Sequence, residues 1–246
     1  MDIHENNQED SQELHLSQDE MIKNLIRDYP RDSLEFFKPK VLKEYGEPIG
    51  IQFHLQENKK HSHFDPNLKN DIAVVYKFKK NQELVLSLTE HWSDKNKFDV
   101  YRFIHYAVDL KSQFEKADIL PVALFTDKAG EWRKRPPEII EIKCLDTVYL
   151  RFQYELIRLK DYQQENYQKS KNRFIAVLRS AMQRQIEDKV MLALEMIRDY
   201  SNVEADIRKA MRNLDIIEYY IGVDKTEKQR ILELLEDKEA PMIAQE

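Results

Sequence analysis

Glycine, cysteine and long apolar runs are all scarce in this chain, and each shortage removes a class of function. Only 4 of the 246 residues are glycine. That is too few for glycine-rich phosphate cradles, and neither GxGxxG nor GxxxxGK[ST] occurs. The single cysteine, Cys144, can form no intramolecular disulfide and no thiolate metal site. Its expected role is that of a small buried hydrophobe beside a strand. Seven histidines are present, but without an HExxH motif or further cysteines they do not make a zinc pattern. No G-x-S-x-G elbow supports a serine hydrolase. No apolar stretch approaches the roughly 20 residues of a membrane span. The opening "MDIHENNQED" is polar and acidic rather than a signal peptide. A cytoplasmic, reducing compartment is the expectation.

What is present is a chain of 41% hydrophobic and 34% charged residues, enough for a core under a charge-rich surface. The net charge is -6. Positions 1–20 hold seven acids and no lysine or arginine, so the remainder is near neutral. A nucleic-acid partner would need a local basic face, because no global field attracts it.

Residues 1–16 read as a disordered acidic tail. Ser17 and Glu20 have capping-box spacing at the start of a helix that Pro30 breaks. A second helix follows, with Asp32 and Glu35 in the same spacing, Pro39 placed to split it and Gly46 to end it. Ile49, Ile51, Phe53 and Leu55 alternate as in a strand. The stretch 70–92 reads as a hairpin turning at Lys80-Asn81. Val100, Phe103, Ile104, Ala107, Val108 and Leu110 then mark a helix. "DILPVALFTD" reads as a buried strand and "GEWRKRPPE" as a basic loop. Residues 148–156 alternate as one further strand. From Asp161 onward the pattern is helical, with Asp224 and Glu227 again in capping-box spacing. The expected fold is α/β (α+β): an acidic tail (1–16), a core (17–160), a packed helical C-terminal region (161–237) and a tail (238–246).

The hairpin places an acid at each open end. A turn at Lys80-Asn81 makes paired positions sum to 161, so Asp71 faces Glu90 on one side of the sheet. Carboxylates opposed at roughly 4.5–5.5 Å between Cβ atoms repel unless something compensates. Two readings stand on the residues alone. The acids face solvent or pair with a nearby lysine, which is common at strand ends. Or they share a hard divalent ion such as Mg²⁺, which takes carboxylate oxygens and leaves other positions for a phosphate.

An acid opening one strand, an acid near the end of the next, then a helix and another strand resembles the PD-(D/E)XK nuclease superfamily. The segments "YPRDSLEFFKP", "NDIAVVYKF", "LVLSLTEHWSDKNKFDVYRFIHYAVDL" and "ILPVALF" are similar to its recombination-promoting nuclease, transposase-like branch. The resemblance covers roughly Ile26 to Asp127. It implies a restriction-endonuclease-like core and an Mg²⁺- or Mn²⁺-dependent DNA endonuclease. Asp71 and Glu90 are then the metal ligands and Glu35 a third candidate. Glu35 is also the capping-box glutamate of its helix. Two residues after the glutamate the pattern asks for Lys, or Gln in this branch. Here the position is Trp92, which has one N–H donor and no charge. Lys77, on the Asp71 face by strand parity, and Lys95, in the following loop, are the candidate substitutes; Lys77 reads equally as a solvated strand lysine. Arg102, Tyr106 and Asp109 resemble family positions on the next helix, and pairing along the helix surface accounts for them equally well.

Arg133, Lys134 and Arg135 form a basic loop, either solvated or in contact with DNA phosphates. By parity His91 points away from the Glu90 face, which favours packing, and His105 is expected half-buried on its helix. Arg208, Lys209 and Arg212 read as a solvated face offset by Glu204 and Asp206. The apolar faces of the C-terminal helices suit core packing or a homodimer surface. Three functions follow: a DNA endonuclease, a non-catalytic DNA-binding or regulatory protein on a decayed nuclease core, or a helical interaction module.

Overall fold

Ser17 starts the first helix as its spacing predicts. Its hydroxyl accepts from the Glu20 amide (3.2 Å), and the Glu20 carboxylate accepts from the Ser17 amide (3.0 Å). The resulting α1 spans Gln18–Asp28 and stops before Pro30, which opens α2 (Pro30–Phe37). Pro39 opens α3 (Pro39–Tyr45), so the second helix is split where expected. Gly46 closes α3 at φ 84°, a conformation that costs glycine little. A computed structural model describes residues 17–55, 72–79, 84–127, 132, 135–185 and 188–239; for 55, 84–90, 95 and 237–239 it gives the backbone alone. The expected tail 1–16 lies wholly outside these residues, and the expected tail 238–246 lies outside them but for 238 and 239.

Asp32 and Glu35 do not form the expected capping box, because α2 begins two residues before Asp32. The Asp32 carboxylate is buried and accepts from the Arg173 backbone amide (3.1 Å) and Nε (3.0 Å). It thereby joins α2 to the start of α5 (Arg173–Leu178).

Strands β1 (Gly50–Leu55) and β3 (Leu84–Trp92) each pair antiparallel with β2 (Ile72–Lys77), which lies between them. Helix α4 (Val100–Gln113) crosses over to β4 (Asp118–Phe125), which lies parallel to β3. The sheet order is β1-β2-β3-β4-β7, with β7 (Glu155–Arg158) parallel to β4. Ile72 through Tyr76 are all buried, as expected of a strand covered on both faces. Ile72, Val74 and Tyr76 join a cluster with α1, α2 and the C-terminal helices. Ala73 and Val75 join a second cluster with Phe103, Tyr106 and Leu110 of α4. The result is a mixed α/β fold with helices on both faces of the sheet.

Further sequence expectations need correction. The single strand over 148–156 is two. β6 (Thr147–Gln153) pairs with β5 (Ile139–Cys144) as a separate hairpin, and after Tyr154 the chain enters the main sheet as β7. Tyr154 is buried at that change of sheet and its hydroxyl donates to the Pro137 carbonyl (2.7 Å). Residues 159–181 hold three short 3-10 turns and α5 rather than one long helix. Cys144, His105 and Val108 are exposed rather than packed.

The last three helices are α6 (Lys189–Ser201), α7 (Ile207–Ile221) and α8 (Lys225–Glu239). Asp188 and Asp206 cap the first two through their carboxylates. Asp224 and Glu227 make the expected reciprocal cap of α8 (2.9 and 2.8 Å). Arg212 does not belong to a merely solvated face, because it binds Asp28 of α1 through two nitrogens. Phe174, Val177, Leu178, Leu192 and Ile217 share one buried cluster with Ile22, Leu25, Leu34 and Leu124. Among the described residues no helix is long and apolar enough to cross a membrane.

Candidate active site at the carboxyl ends of the parallel strands

The β2–β3 register is the one a turn at Lys80-Asn81 requires: Ile72 faces Thr89, Tyr76 faces Val85 and Lys77 faces Leu84. Asp71 lies outside the described residues. For Glu90 the structure gives the backbone, in register with Ala123 of β4. Lys77 is at the far, exposed end of β2, with Leu84 on one side and Gly50 on the other. Six strand positions, roughly 20 Å at 3.3–3.4 Å each, separate the Lys77 and Glu90 levels. That is beyond the reach of a lysine side chain, so the register does not bring Lys77 to Glu90.

Glu35 is engaged elsewhere. Its carboxylate pairs with Arg31 and accepts from Asn172 Nδ2 (3.0 Å). Arg133 and Lys134 lie outside the described residues. Arg135 pairs with Asp161 (2.7 Å) and Glu138 (3.6 Å). Of the side chain of Lys95 nothing is described.

The strand ends nevertheless assemble a defined group of side chains. Trp92 closes β3 and is 8% exposed. Its ring meets Phe98 edge-on at 5.4 Å, and Phe98 meets Phe125 of β4 at 5.3 Å. Asp99 caps α4 by accepting from the Tyr101 and Arg102 amides (3.0 and 3.2 Å), which sets the rotation of that helix. Arg102 therefore lies against the Trp92 ring at 5.0 Å and, one turn on, within 5.9 Å of the Tyr106 ring. The Trp92 Nε1–H is buried without an acceptor among the described residues. A guanidinium thus lies on an indole face two residues beyond Glu90.

A second group lies at the ends of β4 and β7. Asp127 and Arg158 pair at 3.2 Å with side chains only 5% and 7% exposed. Trp132 Nε1 donates to Asp127 (2.9 Å) while the Arg158 guanidinium covers the Trp132 ring at 4.7 Å. Arg158 also pairs with Asp161 (3.3 Å), which in turn holds Arg135. This group had no local signal: its members are 5 and 31 residues apart and meet only because β4 and β7 are adjacent.

His91 follows the expectation of packing. Its side chain is buried on the α1 side, with Nε2 sharing a hydrogen bond with Thr126 Oγ1 (2.6 Å) and Nδ1 3.8 Å from Asp19. Burial first, and the Lys23 ammonium second, lower its pKa to about 3, so the ring is neutral. Among the described residues no three His, Cys, Asp or Glu side chains gather as a metal-binding set. No family model matches the chain, and no match to it was found among curated proteins or solved structures.

Proposed function

We propose that this chain is a divalent-metal-dependent DNA endonuclease on a PD-(D/E)XK-like core, of the recombination-promoting nuclease type. The observation that carries the proposal is the β2–β3 register. Continued by one pair beyond Ile72 and Thr89, it would make position 71 the partner of Glu90. The element order supports the same reading: helix, three antiparallel strands, crossover helix α4, then parallel β4. Carboxylate oxygens are the donors a hard cation takes, so Asp71 and Glu90 would hold Mg²⁺ or Mn²⁺. When bound, such an ion neutralises charge at phosphorus and acidifies a bound water. Arg102, fixed against Trp92, is the group we assign to the DNA phosphate, and its charge is permanent at any working pH.

The test is cleavage of supercoiled plasmid with Mg²⁺ or Mn²⁺. The wild type cuts and Asp71→Ala does not, while Arg102→Ala loses roughly 10²-fold or more, as expected when one stabilising donor is removed. Wild-type protein that binds duplex DNA but leaves plasmid intact would refute the endonuclease.

A specific observation favours a second reading. Trp92 is packed into the aromatic cluster where the pattern wants a water-orienting Lys or Gln, and Lys77 stands at the far end of β2. A non-catalytic DNA-binding or regulatory protein on a decayed core has this arrangement. Trp92→Gln separates the two. In an active fold it supplies the missing donor and acceptor and raises metal-dependent cleavage. Losing the packed indole costs roughly 3–5 kcal/mol, so folding of the variant is checked by circular dichroism. A folded Trp92→Gln protein that binds DNA and still does not cut would leave only the second reading.

A further inference from the structure

The β5–β6 hairpin stands apart from the main sheet as a two-stranded sheet of its own. It is unusually apolar for an exposed element. Ile142 is 50% exposed, Tyr149 70% and Leu145, at the turn, 94%. Isolated two-stranded hairpins are marginal in water, and apolar hairpins of this kind gain stability from further strands.

The two edges of the hairpin differ. The register shifts between Ile142, which faces Leu150, and Lys143, which faces Val148, so the extra residue, Tyr149, lies in β6. A bulge twists an edge away from further pairing. β5 has no extra residue, and among the described residues no strand occupies its other edge.

The β5 sequence, Ile139-Ile140-Glu141-Ile142-Lys143-Cys144, is complementary to itself when run antiparallel about Ile142. Glu141 then faces the second copy's Lys143, and Lys143 faces the second copy's Glu141. Both charges are on one face, as their own 2.6 Å contact requires. On the other face Ile140 and Ile142 share their side with their partners Phe152 and Leu150, all at least partly exposed. Two-fold pairing makes that apolar face continuous across both copies. A two-fold interface must be self-complementary in this way.

We propose that β5 pairs antiparallel with the β5 of a second copy about a two-fold axis at Ile142, forming a four-stranded β6-β5-β5-β6 sheet. The occupant of this edge is therefore another copy of the chain. The proposal does not depend on nuclease activity.

Disulfide mapping tests it in the full chain with Cys144→Ser as background. Directly opposed residues of an antiparallel pair have Cα atoms roughly 4.5–5.5 Å apart, inside the range of about 4.4–6.8 Å that a disulfide spans. Ile142→Cys should form a covalent dimer under mild oxidation. Leu145→Cys is more exposed, but across this axis the two copies of position 145 are roughly 20 Å apart, at six strand positions. It should crosslink at least tenfold more slowly. By sedimentation velocity the unmodified chain should dimerise as its concentration rises. Lys143→Glu, an exposed change that opposes like charges twice, should weaken the dimer roughly tenfold or more. A chain monomeric up to about 100 μM, well above micromolar dissociation constants, would overturn the proposal. So would equal crosslinking at 142 and 145, or a dimer indifferent to Lys143→Glu.

Discussion

The Asp127–Arg158 pair gives the sharpest stability prediction, because it is buried, doubly supported and joins two parallel strands. Replacing Asp127 with Asn keeps the shape and an oxygen able to accept from Trp132 Nε1, but removes the charge. Arg158, only 7% exposed, then loses its buried carboxylate partner and keeps Asp161, which is one-third exposed. Breaking a buried pair by neutralising one member costs roughly 3–5 kcal/mol, because the other charge stays desolvated. Three kilocalories is already more than a hundredfold in the folding equilibrium. Removing both charges in Asp127→Asn/Arg158→Met should cost clearly less than the sum of the two single changes, since neither charge of the pair is left buried without the other. Urea unfolding followed by tryptophan fluorescence measures all four proteins, with Trp132 in direct contact with the pair. A loss below about 1 kcal/mol for Asp127→Asn is the scale of an exposed pair, and it would refute the reasoning. Strict additivity in the double variant would refute it equally.

His91 makes stability depend on pH. Its folded pKa of about 3 lies below the unfolded value near 6.5. The full stability is therefore present above pH 6.5 and declines as pH falls toward 3, because the unfolded chain binds the proton first. By pH 5 the His91 contribution to the loss is roughly 2 kcal/mol at most, and His91→Gln should flatten that part of a stability–pH curve; an unchanged slope would contradict it. Tyr29 donates to Glu204 (2.6 Å) and shares a hydrogen bond with Tyr200 (2.6 Å) deep between α1, α6 and α7. Tyr29→Phe leaves those groups short of a partner and should lower stability by roughly 1–3 kcal/mol in the same urea assay, whereas a neutral result would mean water replaces the hydroxyl. Burial pushes the Tyr29 phenol well above its usual range, so the hydroxyl keeps its proton below pH 10. A fragment ending at residue 160 loses Phe174, Val177, Leu178 and Met182 from the main cluster; it should expose apolar surface and bind a hydrophobic dye, and cooperative unfolding at full stability would show the two parts to be independent.

Local chemistry carried much of this architecture in the sequence. The Ser17–Glu20 and Asp224–Glu227 caps, the Pro30 and Pro39 breaks and the Gly46 stop each act within a few residues, so spacing alone revealed them. The β2–β3 register was legible for a related reason: pairing by twos and a short turn leave one solution for an apolar strand pair. What tertiary structure decided involves partners far apart in the chain. Asp32 has capping-box spacing, but the start of α5, 141 residues on, takes its carboxylate. Residues 148–156 alternate throughout, and alternation does not reveal that the chain leaves one sheet and enters another at Tyr154. Arg102 reaches Trp92 because the crossover helix packs over the end of β3, and Arg158 reaches Asp127 because β7 docks beside β4. Periodicity tells which side of an element is buried; which distant element covers it, and which charges meet there, is settled only when the sheet order is.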